Sequence, residues 1–173
     1  EATSGNTGIA FASIGRALGH SVTIFMPAWM SAERINLLRS LGAGIVLVSR
    51  EEGGFLGSIA RAEELARATP GAFLPRQFSN RDNCEAHYQT TGPEIWDDTD
   101  GKVDILVAAV GTGGTITGAS RYIKPKKPGF AAIAVEPEAS PVISQTLAGE
   151  PVQPAPHKIQ GTGAGFVPIN LDL

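Results

Sequence analysis

The 173-residue chain is 42% apolar and 18% charged, so it can bury a core and is no disordered tail. Its 14 basic and 17 acidic residues leave a net charge of −3, and no basic cluster exceeds residues 124–127, which argues against a nucleic-acid partner. A single cysteine, Cys84, rules out an intrachain disulfide framework and fits a reducing, cytoplasmic compartment; the longest clean apolar run, 105–110, is far short of a membrane span.

Helix-like and strand-like periods alternate along the chain. Residues 9–18 read as a helix stopped by Gly19, and 22–26 as a β-branched strand ended by Pro27. Ser31 can cap a second helix whose stripe is Ile35, Leu37, Leu38 and Leu41, with Gly42 as its stop. A strand at 45–48 and a helix at 59–67 follow. After the polar loop 77–80 come helical stretches at 85–91 and from Pro93 to about Asp98. Residues 103–110 form the strongest strand, and their near-continuous apolar run predicts burial on both faces. A helix at 116–123, a strand at 131–135 and a short helix at 140–147 precede a Pro- and Gly-rich tail.

This alternation implies βαβ crossovers and parallel, twisted sheets with helices on both faces: an α/β fold. A boundary is expected near residue 80, giving units 1–80 and 81–173. The chain opens on Glu1 rather than Met and reaches Gly5 at once, which reads as an internal piece of a longer protein.

Two glycine-rich turns precede helices, where ligands of open α/β sheets bind. In the first, Gly5 and Gly8 permit close backbone approach, Thr3, Ser4 and Thr7 offer hydroxyls, and the helix start offers free N–H groups. A carboxylate suits this nest, but on composition alone a plain capping loop has the stronger claim. The second turn, Gly111, Thr112, Gly113, Gly114 and Thr115, follows the strongest strand. Three glycines in four residues are costly unless backbone must wrap a ligand, and oriented N–H groups with two hydroxyls make a phosphate cup. No Gly-Lys-Ser/Thr follows, and Ile116 replaces the third glycine of a dinucleotide fingerprint, so neither ATP nor NAD is the expected owner.

Taken singly, His20 and His157 read as solvated and His87 as structural. No His/Cys spacing suits a metal, and Cys84, Trp29 and Trp96 read as packing residues.

Residues 1–10, 77–80, 90–96, 111–115 and 157–166, in this order, resemble the signatures of the cysteine synthase (O-acetylserine sulfhydrylase) family. The pairs Met26-Pro27, Met30-Ser31 and Glu136-Pro137 add to the resemblance. It implies parts of two doubly wound domains of a fold type II, tryptophan synthase β-like enzyme that uses pyridoxal 5′-phosphate. Residues 1–80 would belong to the smaller, substrate-loop domain and 81–173 to the larger, phosphate-binding one. Thr3, Ser4, Gly5, Asn6 and Thr7 would close on the substrate α-carboxylate, Asn6 also meeting the coenzyme's ring hydroxyl. Gln77 would help hold the carboxylate, and residues 111–115 would cup the coenzyme phosphate. Gly161, Gly163 and His87 would line the site.

The implied reaction converts O-acetylserine and sulfide to cysteine and acetate, in a parent homodimer that binds serine acetyltransferase. The resemblance covers about the middle half of a family member, and the strand feeding Gly5 is expected to be missing. None of the lysines, Lys102, Lys124, Lys126, Lys127 and Lys158, matches the family's coenzyme-carrying lysine, so no catalytic residue is assigned and little turnover is expected of this chain alone. Two other readings stand beside this one. One is a cystathionine β-synthase-like enzyme; the other is a non-catalytic module that binds the acetyltransferase's C-terminal tail.

Overall fold

The computed structural model describes residues 1–3 and 5–173; Ser4, assigned above to the carboxylate loop, lies outside them. The chain divides into two units, Glu1–Arg76 and Gln77–Leu173. The division thus falls after residue 76, not 80. Gln77 goes with the second unit because its carbonyl oxygen accepts from the side-chain amides of Asn83 (3.0 Å) and Asn170 (2.9 Å).

In the first unit, β1 (Thr23–Pro27) and β2 (Gly44–Val48) pair in parallel, with Thr23 opposite Gly44 and α2 (Ala32–Ser40) between them in the chain. The period-2 alternation of β1 sends its side chains to two different helical layers. Ile24 and Met26 pack with Ala12 of α1 (Asn6–Ala17) and Leu38 of α2. Phe25 packs with Ala2 and with Ala62 of α3 (Gly54–Ala68). Helices therefore cover both faces of this sheet. Ala2 bridges Phe25 in parallel, with Thr3 N–H donating to the Phe25 carbonyl at 3.0 Å. Among the described residues no strand precedes α1; this single bridge is what feeds the Gly5 turn.

The second unit holds α4 (Asp82–Gln89), α5 (Thr91–Asp98), β3 (Ile105–Ala109), α6 (Gly114–Ile123), β4 (Ala131–Val135) and α7 (Val142–Ala148). β3 and β4 are parallel, with Ile105 opposite Ala131. Ala108, Val110 and Ala132 pack with Ile116 of α6, Val142 and Ile143 of α7, and Leu171. The other face is open: Ile105 is 56%, Val107 61%, Ile133 46% and Val135 43% exposed. The expected two-sided burial of β3 is therefore wrong within this chain. An apolar run records that a strand tolerates burial; what covers it is set by packing, and α6 and α7 lie on the same side.

Helices α1, α3 and α6 begin at Asn6, Gly54 and Gly114, earlier than the sequence places them. The extra residues are weak helix formers such as glycine, which tertiary packing recruits in spite of their propensity. No helix is long and apolar enough to cross a membrane among the described residues.

The Glu136 carboxylate accepts the N–H groups of Ile143 (2.7 Å) and Ser144 (2.8 Å) at the start of α7. Burial opposes its ionisation, but the hydrogen bonds from Ser144 and Ile143 outweigh this and hold Glu136 below the ordinary glutamate range. A depressed carboxyl stabilises the fold above the ordinary value, and that contribution is lost as pH falls through the folded-state value. Amide protection factors at Ile143 and Ser144 should therefore fall in acid, and Glu136→Gln should lower them at neutral pH. Unchanged protection in the variant would refute the clamp. For the open face, Val107→Thr with Ile133→Thr keeps β propensity and removes apolar area. Light scattering of the double variant should show less concentration-dependent self-association, with unchanged circular dichroism.

Candidate anion-binding site

In the second unit, β3 runs through Val110 into residues 111–115 and on into α6. Gly113, the N-cap of α6, has φ +81°, a left-handed conformation that other residues rarely adopt. No backbone acceptor takes the N–H groups of Thr112, Gly113, Thr115 or Ile116 among the described residues. These groups and the positive end of the α6 dipole converge on one turn.

The oxygen of Thr112 is filled from behind. Its Oγ1 accepts from Asn83 Nδ2 at 3.0 Å and from the Gly114 N–H at 3.3 Å. A hydroxyl has two acceptor sites and one proton, so the Thr112 proton remains to be donated outward. Asn83 also donates to the Gln77 carbonyl at 3.0 Å, which ties the 77–80 loop to the cup. Sequence reasoning missed Asn83; its only mark there is its spacing of four residues from His87, which places both on one face of α4.

Helix α4 reaches the cup because α6 presents glycine to it. A Cβ on Gly114 would collide with the Asn83 side chain, and one on Gly118 would lie 2.7 Å from His87 Cβ and 2.9 Å from Tyr88 N. His87 is half-buried; its Nδ1 lies 2.8 Å from Thr91 Oγ1 and its Nε2 3.1 Å from Thr115 Oγ1. Burial pushes its pKa below the ordinary histidine value, favouring the neutral ring. Cys84 is buried and packs in α4, its thiol 3.3 Å from the Asn170 carbonyl.

The 157–166 segment lies against the same turn. Gly163 N–H donates to the Val110 carbonyl at 2.9 Å, and a Cβ on Gly111 would collide with the Gly161 carbonyl. His157, expected to be solvated, is instead half-buried, with Nε2 2.9 Å from the Gly163 carbonyl. Phe166 meets Phe78 edge-on at 5.1 Å between ring centroids. Residues 111–115, Gln77, His87, Gly161 and Gly163 are thus drawn into one neighbourhood.

Thr3, Gly5, Asn6 and Thr7 stand at the start of α1 in the first unit. Gly5, the α1 N-cap, offers no side-chain cap, and its N–H donates to the buried Thr3 Oγ1 at 3.1 Å. Asn6 and Thr7 are already helical rather than in a loop. The Arg34 guanidinium lies beside Gly5, where a Cβ would sit 3.2 Å from Cζ. Sequence reasoning missed this cation, because Arg34 reads as an ordinary exposed helix residue.

The 111–115 turn is lined by outward-facing donors and fits a phosphate dianion without a basic side chain. Its geometry depends on Gly118. We expect Gly118→Ala to lower the free energy of urea unfolding by roughly 1–3 kcal/mol through overpacking against α4. Gly129→Ala, with nothing within 4 Å of the added Cβ, should change it little. Equal effects at the two positions would refute this account of the α4–α6 contact.

The chain is 56% identical to cysteine synthase A of Escherichia coli over 176 aligned residues, covering 100% of this chain and 54% of that protein. It is likewise 56% identical to a cysteine synthase of Haemophilus influenzae. Among solved structures it resembles a hydrogen sulfide-producing enzyme of Fusobacterium nucleatum, with TM-score 0.92 and 48% identity over 99% of this chain and 51% of that one. It also resembles the cysteine synthase of Entamoeba histolytica, with TM-score 0.85 and 45% identity over 97% of this chain and 48% of that one. The chain therefore spans about half the length of these relatives. The family described as "Pyridoxal-phosphate dependent enzyme" matches residues 1–173 throughout, and this chain belongs to it.

Proposed function

We propose that this chain binds pyridoxal 5′-phosphate by its phosphate in the 111–115 cup and is the coenzyme- and substrate-binding part of a cysteine synthase. The observation that carries this reading is a turn whose N–H groups meet no backbone acceptor among the described residues, with both acceptor sites of Thr112 already filled by Asn83 and Gly114. When bound, the coenzyme supplies an electron sink that labilises bonds at the α-carbon of an amino acid.

The chain's own residues bind and orient. Gly111, Thr112, Gly113, Gly114 and Thr115 take the phosphate. Thr3, Ser4, Gly5, Asn6 and Thr7 take the α-carboxylate of O-acetylserine at the α1 N-terminus, where a bound carboxylate meets backbone N–H groups and the positive end of the helix dipole. By resemblance to the family, Asn6 is assigned to the ring hydroxyl of the coenzyme and Gln77 to the carboxylate. His87, Gly161 and Gly163 line the site. Residues 1–76 act as the substrate-loop part and 77–173 as the phosphate-binding part, in a cytoplasmic enzyme that converts O-acetylserine and sulfide to cysteine and acetate as a homodimer. No lysine here matches the family's coenzyme-carrying position, so this chain holds the coenzyme non-covalently and turns over little or not at all.

A second reading is favoured by the α1 N-terminus, whose N-cap Gly5 brings no side chain, with Arg34 beside it: capture of a peptide C-terminal carboxylate, such as the tail of serine acetyltransferase, independent of the coenzyme. A peptide acid should bind more tightly than its amide, and equal binding would dismiss it. A cystathionine β-synthase-like activity has less support. The similar enzyme of that name from Helicobacter pylori is 38% identical, against 45–56% for the cysteine synthases named above.

The main test is titration of the chain with pyridoxal 5′-phosphate, pyridoxal and inorganic phosphate. Pyridoxal 5′-phosphate should bind more tightly than pyridoxal and compete with phosphate. Thr112→Val should weaken both phosphate-bearing ligands by roughly tenfold, the loss of about one charge-assisted hydrogen bond. Equal affinity for pyridoxal and its phosphate would overturn the cup.

A further inference from the structure

We infer that His87 is a positioning residue for the anion cup: its Nε2–H donates to Thr115 Oγ1 and turns the Thr115 hydroxyl proton toward the bound phosphate. This rests on the phosphate reading above and adds to it a proton arrangement and a residue that sets it.

A neutral imidazole has one donor and one acceptor nitrogen, so its two threonine contacts must be of opposite kind. In one arrangement Nδ1–H donates to Thr91, and Thr115 gives its proton to Nε2. The Thr115 proton would then point away from the cup. In the other, Thr91 donates to Nδ1, and Nε2–H donates to Thr115. Burial decides between them. Thr91 is half-buried, and His87 is the only hydrogen-bond partner of its hydroxyl among the described residues. If Thr91 only accepted, its own proton would have no partner among the described groups in a half-buried position, whereas donating to Nδ1 gives it one. Thr115 is exposed, so its proton can go to an anion or to water.

The result matches Thr112 on the other side of the turn, whose acceptor sites Asn83 and Gly114 fill. Asn83 and His87 stand four residues apart on α4, so one helix face sets both threonines as donors. A donor-only cup selects a phosphate dianion over a neutral alcohol.

Two measurements test this. Nitrogen-15 NMR of the phosphate-bound, unsubstituted chain should show His87 protonated on Nε2. Affinities for inorganic phosphate, pyridoxal 5′-phosphate and pyridoxal should be compared among the unsubstituted chain, His87→Phe, His87→Gln, Thr115→Val and the His87→Phe/Thr115→Val double variant. His87→Phe should weaken phosphate binding by roughly tenfold and leave pyridoxal unchanged, while His87→Gln, which retains an N–H donor, should restore most of the loss. The double variant should bind no worse than the weaker single one, since both remove the same interaction. A proton on Nδ1, unchanged phosphate affinity in His87→Phe, or additive losses would overturn the inference. If His87→Phe does not fold, the tautomer of the unsubstituted chain decides. If that chain binds neither phosphate nor the coenzyme, the cup reading itself falls; if it binds and His87→Phe matches it, only the role of His87 falls.

Discussion

The anion-binding turn depends on the close approach of α4 to α6. That approach is possible because Gly114 and Gly118, one helical turn apart, put no side chain between the two helices. Through this gap α4 delivers an amide to Thr112 and an imidazole to Thr115. A bulkier residue at Gly118 would push α4 away and withdraw both contacts together. The glycines of this region thus serve two purposes. Gly113 adopts a left-handed turn, whereas Gly114 and Gly118 make room.

The cup concentrates positive potential without any lysine or arginine. Backbone N–H groups at a helix start carry fixed partial charges that cost no side-chain entropy to hold in place. Filling both acceptor sites of the Thr112 oxygen from the protein side leaves its proton to be donated outward. Asn83 does this directly, and its second bond, to Gln77, couples the cup to the 77–80 loop. Asn170, fully buried, donates to the same carbonyl and carries the coupling into the C-terminal segment.

The two units bury their sheets differently. In the first, α1 and α2 lie on one face and α3 on the other, so the alternating side chains of β1 find apolar partners on both sides. In the second, α6 and α7 share a face and leave Ile105, Val107, Ile133 and Val135 open. Such a surface favours self-association in isolation, whatever the activity of the chain.

The α/β class, the parallel strands and the place of the glycine turn between β3 and α6 were legible in the residues. They rest on local properties: β-branched runs, helical stripes, and glycines where no core needs them. The starts of α1, α3 and α6 were misplaced because glycine and asparagine oppose helix locally while packing holds them helical. Asn83 carries no local signal beyond its four-residue spacing from His87, and His87 is ambiguous until α4 is docked. Arg34 looked like any surface arginine. By itself the sequence determined which segments form strands and helices and where a backbone cradle lies, since those follow from neighbours along the chain. Only the tertiary structure decided which side chains stand behind the cradle and which face of β3 is covered, because these depend on residues brought together from distant parts of the chain.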